Sequence, residues 1–295
     1  MEYKELLDAV TEYINEKLPD ATAKIISTVK NNGVKLCGVS ICKDGMNIAP
    51  AIYMENFYLD YINGADVEEI AEKVIGIYEN YMPTEDIDVD FFADYESIKN
   101  QLFIKLINTK RNEELLENVP HEPFMDLSMV VYCKVYNKEI GNGFILVKNE
   151  HLEMWNIEKD CLFKNAMDNT DKSDTMKIRS IVEVLKEVEP MMCEELDGLE
   201  EENSPQLNVV TSNDGYYGAA FMAIPNKLKE MEESMAGDFY IIPSSVHELL
   251  ILPKEHGDLE GLGKMINEVN ETAVKREEVL SDHAYYFSVK DGISM

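Results

Sequence analysis

"IIPSSVHELLILP", residues 241–253, sets two apolar runs on either side of two serines and a histidine. If Ser244 or Ser245 were a nucleophile with His247 as its base, the chain would be a hydrolase. If the stretch is a strand that turns a corner, it is one half of an antiparallel pair. A hydrolase elbow holds its serine on a sharp turn between glycines, whereas these serines stand between Pro243 and Val246. A Pro-Ser-Ser stretch supplies hydroxyls that satisfy backbone groups at a corner. Read as a strand, 246–252 puts His247, Leu249 and Ile251 on one face and Val246, Glu248, Leu250 and Leu252 on the other, because side chains alternate. Both faces are mostly apolar, so the strand is expected to be central and His247 to be bonded to a serine hydroxyl or to backbone.

Working outward, the same alternation of strand pairs and helices recurs. Leu6, Leu7, Val10, Ile14 and Leu18 follow helical spacing up to Pro19. "ATAKIISTVKNNGVKLCGVSICKDG" reads as two strands about an Asn-Asn-Gly turn. Asp66 to Glu69 has capping-box spacing and opens a helix that runs to Pro83. "DIDVDFF" from Asp86 alternates acid and apolar as a strand would, and a helix with Ile98, Leu102 and Leu106 inward is expected after it. "LSMVVYCKVYN" and "GFILVKNE" form a further strand pair, a helix is expected over 157–168, and "NEHLEMW" reads as a strand edge. "LNVVTS", "GAAFMAIP", a helix led in by Pro225, "DFYII", "HELLILP", a helix at 258–270 and "HAYYFSV" complete the chain. No strand-helix-strand rhythm of a parallel sheet appears, so the fold class is α+β, with recurring antiparallel strand pairs covered by helices. Two domains are expected, 1–118 and 119–295, the second with an acidic loop at 187–206 that holds eight acids and no base.

Charge narrows the partners. The 57 acidic residues outnumber the 27 basic ones and leave a net charge of −30. Such a field repels phosphate backbones and anionic lipid surfaces, so neither nucleic acid nor membrane is an expected partner. It could draw a basic protein. Five cysteines without C-x-x-C spacing signal neither a disulfide framework nor a zinc knuckle. With no signal-peptide pattern and no long apolar run, the expected location is the cytoplasm.

The remaining chemistry is thin. Asp282 and His283 are adjacent in "SDHAYYF", but neighbours on a strand point to opposite faces, so a turn role is favoured. Convergence of His247, His283 and an acid across neighbouring strands is the best enzymatic arrangement on offer. Asp86, Asp88 and Asp90 open like a calcium loop, yet Phe91 stands where glycine is needed and Ser97 where glutamate is needed. His121 and His151 have no HExxH or cysteine companion. No glycine-rich phosphate cradle occurs, so no cofactor or metal is expected. Trp155 and the pairs Tyr216, Tyr217 and Tyr285, Tyr286 read as core aromatics.

The segments "NNGVKLCGVSI", "NIAPAIYMENFY", "FFADYESIKNQLFIKLINTKRNEELLENVPHEPFMDLSMVVYC", "NEHLEMWNI", "AMDNT", "IIPSSVHELLILP" and "LSDHAYYF" together resemble a bacterial family of unknown function, number 5688 among catalogued domains of that kind. The likeness runs along nearly the whole chain and implies a bacterial protein of anaerobic Firmicutes, with no activity and no catalytic residue to carry across. The expectation is therefore a cytoplasmic, non-enzymatic binding or interaction protein whose partner is a protein or a small molecule. The alternatives are an acidic inhibitor that mimics nucleic acid towards a basic protein, and a hydrolase using His247 or His283, with Ser244, Ser245 and Asp282 as the other weak catalytic candidates.

Overall fold

The computed structural model describes residues 1–46, 49–82, 90–137, 141–188 and 207–295. Asp86, Asp88, Cys193 and most of the acidic stretch 187–206 lie outside the described residues. The chain packs as two compact units, one of residues 1–92 with 135–143 and one of residues 93–134 with 144–295.

In the first unit, β1 (Ala21–Val29), β2 (Lys35–Lys43) and β3 (Ala51–Tyr53) form an antiparallel sheet in that order. The β1–β2 hairpin closes at Val29 opposite Lys35. Asn32 and Gly33 take the left-handed backbone at φ 60° and 67°, the conformation for which Asn and Gly pay least. Helices α1 (Tyr3–Lys17), α2 (Glu55–Ile62) and α3 (Val67–Tyr81) accompany the sheet. The Asp66 carboxylate accepts from the Glu69 N–H at 2.8 Å, as the capping spacing predicts. Leu6, Val10 and Ile14 of α1 meet Ile70 and Val74 of α3 and Val39 and Ile41 of β2 in a closed core. Each such side chain stabilises the unit by about 1.5–3 kcal/mol relative to exposure.

The second unit holds two sheets. In the smaller, β4 (Leu102–Asn108) pairs with β6 (Leu127–Asn137), which also pairs with β5 (His121–Phe124) and β7 (Gly141–Leu146). One face of β4 packs on the helix Lys159–Lys172, whose Thr170 hydroxyl accepts from the Ile104 N–H at 2.9 Å. The larger sheet runs β13 (Gly292–Ser294), β12 (Tyr285–Ser288), β10 (Phe239–Pro243), β11 (Glu248–Pro253), β9 (Asn208–Ser212), β8 (Met176–Ser180). Its paired strands are antiparallel. The fold class is α+β, and β11 is central as its two apolar faces require. Among the described residues no helix is long and apolar enough to cross a membrane.

Four expectations are corrected. The helix expected through Ile98, Leu102 and Leu106 is a short helix, Tyr95–Ile98, followed by strand β4. A spacing of four residues fits a strand face as well as a helix face, and burial of nearly every residue of "LFIKLIN" decides for the strand. Of the "DIDVDFF" strand only Asp90 to Phe92 are described, and Asp90–Ala93 is a 3₁₀ turn. "NEHLEMW" is a helix, Asn149–Trp155, closed by Asn156 at φ 52°. "GAAFMA" is a buried 3₁₀ helix, Gly218–Ala223, leading into the helix Pro225–Met235.

Gly218 fixes how that 3₁₀ helix enters. A Cβ there would lie 2.7 Å from the Ser212 nitrogen, 2.8 Å from the Thr211 Cα and 2.9 Å from the His247 carbonyl, all backbone atoms. Gly263, inside the helix Leu259–Thr272, has nothing within 4 Å of its Cβ position. Gly218→Ala is expected to destabilise by about 1–3 kcal/mol in urea denaturation, and Gly263→Ala to stabilise by about 0.5–1 kcal/mol.

Candidate functional site

The site is assembled around the turn at residues 213–217, which leaves β9 and enters the Gly218 helix. The Ser212 hydroxyl lies 2.8 Å from both Asp214 Oδ1 and the Tyr216 carbonyl and accepts from the Tyr216 N–H at 2.9 Å. Asp214 also accepts from the Tyr216 N–H at 3.3 Å. Its second oxygen is paired with the Lys134 ammonium of β6. Both partners are mostly buried, with side chains 25% and 18% exposed, so the pair ties the turn to the face of the smaller sheet.

That face is aromatic. Phe103 of β4 stands opposite Tyr132 of β6 with ring centroids 6.0 Å apart. Tyr132 meets Tyr217 edge-on at 4.7 Å and Phe144 at 5.7 Å. Tyr217, held at φ 56°, stacks on the His247 ring at 5.1 Å with Lys105 Nζ 4.4 Å from its centroid. A left-handed backbone at a bulky residue costs on the order of 1–2 kcal/mol and persists only where its surroundings enforce it. Tyr216, 39% exposed, contacts Phe144 at 4.6 Å and His247 at 5.7 Å and forms the outer rim.

Two acids lie near the turn, Asp214 and Asp174. The β8–β9 register pairs Met176 with Ser212, and the Asn213 N–H reaches the Thr175 carbonyl at 2.9 Å. One step further, Asp174 stands opposite Asp214. The two carboxyls have opposite fates. For Asp214, burial acts upward, but the Lys134 ammonium and the Ser212 hydroxyl outweigh it and hold the group below the usual carboxylate range. For Asp174, 8% exposed, burial dominates. Lys134 and Lys227 oppose it, Asp214 adds to it, and the carboxyl is raised to about 6. Tyr132 is only 2% exposed, yet neither it nor Asp174 holds a fully buried side-chain atom without a partner. Burial and then the charges of Asp174 and Asp214 raise the Tyr132 phenol, which places it in the field of both acids.

The residues singled out in the sequence are placed as follows. Ser244 Oγ donates to Glu248 Oε1 at 3.3 Å, and Ser245 Oγ accepts from the His247 N–H at 3.0 Å. His247 sits in the corner just before β11, where its Nδ1 accepts from the Tyr217 N–H at 3.3 Å. The ring proton is then on Nε2. Burial is the main influence keeping this imidazole below the usual histidine range. His283 precedes β12, and β11 and β12 flank β10, so both histidines stand at the same end of the larger sheet with β10 between their strands. Their partners differ. His283 Nε2 lies 3.1 Å from Asp126 Oδ2 and Nδ1 lies 3.0 Å from the Ala284 carbonyl. The Tyr285 hydroxyl donates to Asp126 Oδ1 at 2.7 Å. Asp282 pairs with Arg111 at 2.6 Å, and Asn267 and Asn270 bind the carbonyls of Asp282 and Ser281 at 2.8 and 2.9 Å. These contacts tie down the stretch leading into β12.

Tyr132, Lys134 and Asp174 escaped the sequence reading because each lies in an ordinary local context, a strand or a loop, and only long-range pairing brings them to Asp214. Among the described residues no group of three or more His, Cys, Asp or Glu could hold a metal ion. Burial pushes the Cys133 thiol up to about 12, so it is no nucleophile at neutral pH.

The arrangement is that of an α+β protein in which an aromatic cluster of Phe103, Tyr132, Phe144, Tyr216, Tyr217 and His247 adjoins the Lys134–Asp214 ion pair. The profile of the family of unknown function DUF5688 matches residues 3–289, and the chain belongs to that family. No curated protein and no solved structure matches it.

A carboxyl raised on folding stabilises the native state below its unfolded pKa and loses that contribution as pH rises through the folded value of about 6. Ionised Asp174 therefore weighs against the fold at pH 8. Asp174→Asn is expected to stabilise the protein there by roughly 2–3 kcal/mol, and the gain should fall by about half at pH 5. Urea midpoints of both proteins at the two pH values check this.

Proposed function

We propose that this is a non-enzymatic binding protein that takes a small molecule against the aromatic cluster at the 213–217 turn. One observation carries the reading: an aromatic cluster with a part-exposed rim, Tyr216 at 39%, adjoins a mostly buried ion pair, Lys134 with Asp214, and a carboxyl, Asp174, raised by burial. A carboxyl whose titration is shifted by burial beside a cluster of rings is a candidate binding position. The rim of Tyr216, Phe144 and His247 supplies apolar walls, and a few convergent polar groups supply orientation, as in small-molecule sites generally. The absence of a C-x-x-C pattern and the strongly acidic composition support a cytoplasmic setting.

The test is a fragment screen read by the amide resonances of Tyr216 and Gly218. Fragments that move these signals are expected, with affinity weakened about tenfold or more in Asp174→Ala. Fragments that bind the variant as well as the wild type, or none that reaches these signals, would count against the aromatic cluster as the site.

A further inference from the structure

We propose that the outer edge of β1 takes up an extended segment of a partner protein, one whose acidic residues alternate with apolar ones, as a fourth strand of the first unit's sheet. The surface belongs to the first unit and owes nothing to the aromatic cluster of the second. Backbone geometry selects an added strand. β1 pairs with β2 alone and stands at the end of the sheet. At Ala23 the Asn15 amide of α1 takes the place of a neighbouring strand: the Ala23 N–H donates to Asn15 Oδ1 at 2.8 Å, and the Ala23 carbonyl accepts from Asn15 Nδ2 at 3.1 Å. Inward and outward residues alternate along an antiparallel pair, and the Lys30 N–H donates inward to the Val34 carbonyl at 2.7 Å. Ile25, Ser27 and Val29 therefore turn their N–H and C=O groups outward as Ala23 does. Among the described residues these backbone groups have no protein partner. The edge is long and regular, nine residues in unbroken register with no proline, and its Ile25 and Val29 side chains are 42% and 49% exposed. Such an edge is a template for another strand.

Charge selects the sequence of that strand. Residues 21–43 hold Lys24, Lys30, Lys35 and Lys43 and no acid, in a chain of net charge −30. Lys24, Lys35 and Lys43 are exposed, and Lys30 stands over the Tyr53 ring at 4.8 Å. Among the described residues none of the four lysines is in an ion pair. Side chains alternate across the sheet. Ala23 joins Val39, Ile41 and Ile52 in the core, so Ile25 and Val29 share the helix side while Lys24 and Lys30 share the other. A partner residue opposite Ile25 or Val29 lies on their side, against exposed hydrocarbon. Its neighbours lie on the side of the two ammoniums. The acids next in sequence, Asp20 and Asp44, pair their backbones beyond the Ala21 end of the hairpin. On the helix side, α1 and α3 hold eight acids against Lys4, Lys17 and Lys73, which outweigh Lys35 and Lys43 at the strand ends and disfavour acids there. Apolar residues towards the helices and acids towards Lys24 and Lys30 satisfy both sides. A second copy does not: antiparallel β1 strands centred on Ser27 would set Lys24 against Lys30 of the other copy, between two molecules of like charge.

The experiment is fluorescence anisotropy on the full chain with a labelled seven-residue peptide of alternating valine and aspartate as probe. Its comparators are the valine-lysine counterpart and a peptide of the same composition with valines and aspartates in separate blocks. The alternating aspartate peptide is expected to bind, more weakly as salt rises, and to protect the amide protons of Ile25, Ser27 and Val29 from exchange; the comparators are expected to do neither. Ser27→Pro removes one outward N–H and no bond to β2, a place where an edge strand tolerates proline, and is expected to weaken binding by about tenfold. Lys24→Glu combined with Lys30→Glu leaves the backbone ladder intact, and is expected to weaken the aspartate peptide by about fivefold and to let the lysine peptide bind. Equal binding of the block peptide, binding indifferent to both variants, or no binding at millimolar peptide would refute the added strand. Dimers of the chain that Ser27→Pro abolishes would give the edge to a second copy, and a short oligothymidylate that binds in the peptide's place would give it to nucleic acid; either result overturns the proposal.

Discussion

The ion pair between Lys134 and Asp214 is the constraint on which the second unit's site depends. It joins a strand of the smaller sheet to the turn that follows a strand of the larger one, and it does so mostly out of water. Charges at that depth persist because each has its counter-charge and further hydrogen bonds; removing one partner strands the other at a cost of several kcal/mol. The pair also uses up Asp214. Its remaining oxygen is engaged by the Ser212 hydroxyl and the Tyr216 N–H, while Asp174 feels Lys134 and Lys227 only through their field and is governed by burial. One acid is locked into architecture and its neighbour is left over. That division, rather than any catalytic arrangement of serine and histidine, is what the geometry offers as chemistry.

The turn itself is built under strain. Tyr217 is left-handed and Gly218 is pressed against the backbone of β9 and of His247, which together force two tyrosines to project side by side. His247 serves this arrangement: its Nδ1 takes the Tyr217 N–H and its ring lies on the Tyr217 ring. The serines before it close the corner between β10 and β11. His283 fills a comparable post, pinning the approach to β12 against Asp126.

Much of the fold was legible because local signals and tertiary packing agree. The Asn-Asn-Gly hairpin, the Asp66 cap and the twin apolar faces of β11 each have one physical reading, and the structure follows it. Where a pattern satisfied two periods, as at Ile98, Leu102 and Leu106, burial chose the strand. The site was largely illegible. Tyr132 sits in an apolar strand and Asp174 in a loop, and nothing near either in sequence marks it; their meaning comes from a register that brings residue 174 opposite residue 214. The histidines and serines that did stand out are occupied with corners.

The most direct measurement is the carboxyl titration of Asp174, followed by carbon-13 NMR in aspartate-labelled protein and in Lys134→Met. The account predicts a midpoint near 6 in the wild-type chain and a higher one once the lysine is gone, because the ammonium favours the ionised form. A midpoint close to the ordinary carboxylate value of about 4, unmoved by the substitution, would show that Asp174 is solvated or already paired, and would contradict the account.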